Sequence, residues 1–310
     1  MGPIAQKLLK ELQQLQATAT VTDLNEVRRA RAQVAAVAEA IDADTLPPGQ
    51  HLWMDVFKIY AALGSVLLGS ATLRSMASRI EAAEEAYTPG GPPMSPVLDS
   101  AFVGWWMADL AVGPCQENLC SIVADLASVL RMPPELRDLA HIFAASHLDV
   151  FRATPDDSRR THLTRLATGE EYLAEVAAGV VLPAGLWLGR LLPYPNRYDH
   201  SEAVLWGTPY FLDGPEAESK WRAYFDRQTG ALKGADRLNR LARHFKGEKN
   251  PVRMLDFMMR NYGGQTAEGL LCLRGVPEES HLRPEGPCLR LCGAPGAAAE
   301  TLVAETLGEG

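Results

Sequence analysis

A cation, a phenol, a carboxylate and an imidazole follow one another at Arg197, Tyr198, Asp199 and His200. A His beside an Asp can supply an oriented general base, and a nearby Arg can hold an anionic substrate, which together are parts of a hydrolase. Neighbours on an extended chain point to opposite sides, so Asp199 and His200 would have to sit in a turn to act as one unit. The polar stretch 195–202 reads more simply as a solvated loop joining two strands, and no catalytic residue is assigned.

Cys272, His281, Cys288 and Cys292 offer thiolates and an imidazole, the donors that suit zinc, and the interval from Cys288 to Cys292 lies within usual ligand spacing. The set as a whole follows no established finger pattern. Cys272 also sits in an apolar, strand-like run, where a free thiol behaves as a small hydrophobe. His141 and His147 cannot share a helical face, and Asp138 is placed for a local bond to His141. The expectation is a chain with no metal and no cofactor. Cys115 and Cys120 read as core residues or free thiols.

The strongest signal is electrostatic. Lys233, Arg237, Arg240, Arg243, Lys246, Lys249 and Arg253 stand together against Asp236 and Glu248. Lys233, Arg237, Arg240 and His244 follow one helical face, while Leu238, Leu241 and Phe245 follow another. Lys233, Arg237, Arg240, Arg243 and His244 are therefore the candidate binding residues, suited to an acidic protein surface, a phosphate-bearing ligand or nucleic acid. The plainer alternative is a surface helix neutralised by acids of the same chain. Phe245 is the aromatic residue within the stretch and its position assigns it to the core, which ranks nucleic acid below a protein partner.

Trp105, Trp106 and Asp109 would make a ligand site if the acid faced aromatic surface, but tryptophans at helical spacing usually pack in a core. The phosphate loop, the dinucleotide glycine pattern, the nucleophile elbow and the zinc-protease helix are all missing from the sequence.

Elements must position these residues. Apolar spacing predicts helices over 4–15, 23–46, 52–87, 101–110, 117–131 and 134–151, with a decisive break at 88–96. The pattern then changes to strands. Alternating segments from 161 to 213, with Thr168-Gly169 as a hairpin turn, predict a small antiparallel module of three or four strands packed between helices. Helical spacing returns over 216–227, 235–245 and 251–262, and 269–273 could add a last strand. The fold class expected is α+β, mainly α: a helical bundle, a small antiparallel β module, then further helices. The expected division is a helical region at 1–152, the β module with its C-terminal helices at 153–293, and a flexible tail at 294–310.

A chain of 310 residues with 47% hydrophobic and 22% charged residues can bury a large core. A net charge of −8 sets the molecule as a whole against nucleic acid and anionic lipid. The uncharged run 59–73 is shorter than the roughly 20 residues of a spanning helix, so it predicts a buried helix whose Gly64 and Gly69 admit a close neighbour. The odd count of five cysteines and a start lacking the apolar core of a signal peptide point to a reducing cytoplasm.

The segments Gly91-Pro-Pro-Met-Ser-Pro96 with Asp99-Ser100, Thr168-Gly-Glu170, Leu186-Trp-Leu-Gly-Arg-Leu-Leu-Pro193 and Thr208-Pro-Tyr-Phe-Leu212 resemble a family of uncharacterised bacterial proteins over about 52–284. That resemblance implies a bacterial, intracellular α-plus-β protein and transfers no activity. The leading expectation is a non-enzymatic adaptor or regulatory subunit in the bacterial cytoplasm, with another protein as partner, no membrane, and self-association left open. A hydrolase built on Arg197, Asp199 and His200 is the alternative, and nucleic-acid binding through 233–253 a third.

Overall fold

A computed structural model describes residues 1–18, 49–87, 95–130, 132–155, 160–176, 182–194, 202–266 and 269–278. Helix α1 (Pro3–Thr18) starts on a proline, which suits a first turn whose N–H has no partner, and buries Ala5 and Leu8. Helix α2 (Gly49–Leu68) buries Trp53, Val56, Ile59, Tyr60 and Leu67. Gly64 makes room for a neighbour as its position predicts: a Cβ there would lie 2.5 Å from Leu119 Cδ2.

The single helix expected over 52–87 is in fact two. Gly69 and Ser70 break it, and Ser70, in extended conformation, caps the next turn by accepting from the Leu73 amide at 3.2 Å. Helix α3 (Arg74–Tyr87) leaves this corner after a short 3-10 turn, and the two arms differ in direction by 96°. Among the described residues no single helix is long and apolar enough to cross a membrane; this bent pair reaches that length only by counting both arms.

Helix α4 (Asp99–Gly104) runs into one π turn, Trp105–Asp109. Helix α5 (Leu119–Asp125) opens with a reciprocal cap between Asn118 and Ser121, and α6 (Ala127–Leu130) and α7 (Pro134–Ala145) follow. The helix expected over 134–151 stops six residues early. Ser146 turns extended at ψ 157°, and strand β1 (Leu148–Pro155) begins almost at once. Helical apolar spacing and a doubly buried strand look alike over so few residues, because Leu148, Val150 and Phe151 are buried either way.

The β region is larger than expected and mixed. After β1 come β2 (Arg160–Arg165), β3 (Glu171–Glu175), β4 (Gly185–Pro193) and β5 (Glu202–Asp213), and β6 (Tyr262–Gln265) and β7 (Leu271–Arg274) join later. Thr168 and Gly169 turn the β2–β3 hairpin, Gly169 taking φ 79°. Antiparallel pairs β1–β2, β2–β3, β1–β4 and β4–β5 are closed by a parallel pair, β3–β5. Strand β5 has twelve residues, so its first part reaches β3 at Ala203 and its last part reaches β7 at Leu212, again in parallel. A register shift opposite Gly207, at φ 77°, bends it between the two.

The circuit β1-β2-β3-β5-β4 is a closed five-stranded Greek-key barrel with the connectivity of OB-type barrels. Its interior is filled by Phe151, Ala153, Leu163, Ala174, Trp187 and Leu205. Leu186, Leu188, Leu192, Val204, Trp206, Tyr210 and Leu212 face the other way, into a second core shared with the helices. That core also takes Trp221, Tyr224 and Phe225 of α8 (Ala217–Thr229), Phe245 of α9 (Gly234–Phe245) and Phe257 of α10 (Arg253–Arg260). The fold is α+β and mainly helical. Strand β1 runs through positions 152 and 153, and 294–310 lies outside the described residues.

Candidate functional site

Charged side chains gather where the helices meet the barrel. Asp109 ends the π turn, a local form found often at functional sites, and Arg190 stands on the helix-facing side of β4 between Leu188 and Leu192. Each side chain is 3% exposed, and Arg190 Nη2 donates to Asp109 Oδ2 at 2.5 Å. Arg190 Nη1 donates to Ser146 Oγ at 2.8 Å, and the guanidinium lies over the Phe143 ring.

Lys246, just past α9, reaches into the same place. Its amine donates to the carbonyls of Ala108, at 3.2 Å, and Ala144. Asn118 Nδ2 donates to the same two carbonyls at 2.7 and 3.0 Å. Carbonyls at the ends of helical turns have no partner within the helix, so these two side chains satisfy groups that burial would otherwise leave stranded. One step further, Arg165 Nε stands 3.0 Å and His147 Nε2 3.9 Å from Asp149 Oδ2.

Burial is the largest influence on the protonation of Asp109, Cys120, His147, Asp149 and Lys246. It raises Asp109 above the ordinary carboxylate value, with Arg190 and Lys246 opposing, and lowers Lys246 to about 8. Cys120 is pushed up to about 12 and Asp149 to about 6. His147 is pushed down to about 3 by burial and by the cations Lys246, Arg165 and Arg190. A base, two acids, a thiol and three cations are thus assembled, but the thiol is neutral, the amine is spent on carbonyls, and the Arg190–Asp109 pair is sealed from solvent. Its evident work is to hold the π turn, α7, the end of α9 and β4 in one arrangement.

The residues singled out in the sequence are dispersed. Arg197, Asp199 and His200 fall outside the described residues, as do His281, Cys288 and Cys292. Cys272 is buried on β7 and, among the described residues, no group of His, Cys, Asp and Glu has the geometry to hold a metal. Trp105 and Trp106 are buried in the core. On α9 the basic face divides: Arg237 pairs with Asp226 at 2.9 Å, Arg240 with Glu248 at 2.6 Å, and Lys233 and Arg243 are exposed. His244 lies inside, not on that face: its ring nitrogen meets the Tyr224 hydroxyl, and burial lowers it to about 4. The periodicity places it beside Arg240 correctly, but the ring turns toward α8.

Sequence reasoning noticed Asp109 and missed its partner. The available signal was Arg190 itself, one charge within the apolar strand Leu186-Trp-Leu-Gly-Arg-Leu-Leu192, since a charge that must be buried needs a counter-charge. No family model, curated protein or solved structure matches this chain.

Proposed function

We propose that the protein works by binding another protein, as an adaptor or regulatory subunit in the bacterial cytoplasm. The observation that carries this reading is the sealing of the Asp109–Arg190 pair, which ties the π turn to β4, while the Lys246 amine donates to the carbonyls of Ala108 and Ala144. Free Cys115, Cys120 and Cys272 fit a reducing compartment. The contact surface we assign is the exposed part of α9 and its approach, Lys233 and Arg243 with Leu232, which is 40% exposed.

An OB-type barrel raises nucleic acid as a rival reading, since such barrels bind oligonucleotides over the β2–β3 face. Here the pairing register puts Arg160, His162, Thr164, Glu171, Leu173 and Glu175 on the outer side. Neither an aromatic stacking platform nor an excess of positive charge is present among them, so the face favours a protein partner over single strands.

Co-purification from the native host tests the proposal, comparing the parent chain with a Lys233→Glu/Arg243→Glu variant. The expected result is a protein retained by the parent and lost by the variant, with unchanged melting temperature. Turnover on a panel of ester, amide and phosphoester substrates, abolished by His200→Ala, would replace this reading with the hydrolase.

A further inference from the structure

We draw no further inference here: the strongest candidate, the apolar surface patch of α2 around Val66, which is 74% exposed beside the Gly69-Ser70 corner, carries nothing because nothing among the described residues shows what covers it.

Discussion

Arg190 and Asp109 lie 81 positions apart, and each makes the other tolerable in a place where neither could be buried alone. Removing one partner should therefore cost more than the pair contributes. Arg190→Met is expected to lose about 3–5 kcal/mol in urea unfolding, because it leaves a buried carboxylate without its counter-charge. Adding Asp109→Asn should restore part of that loss; equal instability of the double variant would show that the packing of Arg190 on Phe143 matters more than the charge. His147 and Asp149 make a second, pH-dependent case. Asp149 is raised from 3.8 to about 6 in the folded chain, so its contribution is full below 3.8 and is lost as pH rises through 6. His147 is lowered from 6.5 to about 3, so its contribution is present above 6.5 and is lost as pH falls through 3. Between about pH 4 and 6 the folded pair holds one proton, on Asp149, and the unfolded pair also holds one, on His147, so the two slopes cancel. His147→Gln removes one side of that balance. Relative to the parent, its stability should rise as pH falls from 6 to 4, by up to about 1.4 kcal/mol per pH unit, measured by denaturant midpoints across that range.

At the scale of elements, α9 behaves as two surfaces. Its buried edge, Leu241, His244 and Phe245, packs against Trp221, Tyr224 and Phe225 of α8, while Arg237 and Arg240 tie its flank to Asp226 and Glu248. Those arginine side chains are 22% and 25% exposed, enough burial for their pairs to matter. Replacing Arg237, Arg240 and Arg243 together by Glu should then cost roughly 1–2 kcal/mol, since two attractive pairs become repulsive, whereas Arg243→Glu alone should change stability by less than about 0.5 kcal/mol. Thermal melting of the two variants decides it, and equal melting temperatures would return Arg237 and Arg240 to the free surface. Strand β5 is the other element with a double task, and its length is what allows it to close the barrel at one end and extend the sheet at the other.

Taken as a whole, the barrel has its own interior but depends on the helices for its other face. Leu186, Leu188, Leu192, Val204, Trp206, Tyr210 and Leu212 would be exposed if residues 146–214 were made alone, and contiguous apolar surface of that extent drives association. The isolated fragment is expected to aggregate or to lack amide dispersion in a proton–nitrogen spectrum. A well-dispersed monomeric spectrum would establish the barrel as an independent unit and make the helices an addition to it.

Local chemistry made much of this architecture readable in advance. Apolar spacing located α8, α9 and α10 to within a few residues, Thr168-Gly169 marked the hairpin because only a short permissive turn fits there, and the alternating segments marked β2 to β5. Those features depend on neighbours along the chain. The corner at Gly69-Ser70 and the early end of α7 were open locally, since a helix and its alternative bury the same side chains, and tertiary packing chose between them. The parallel closure of β3 on β5 and the partnership of Asp109 with Arg190 join residues far apart in sequence. Spacing carries no information about such pairs; they exist because a buried charge and an open strand edge must each find a partner in the folded chain.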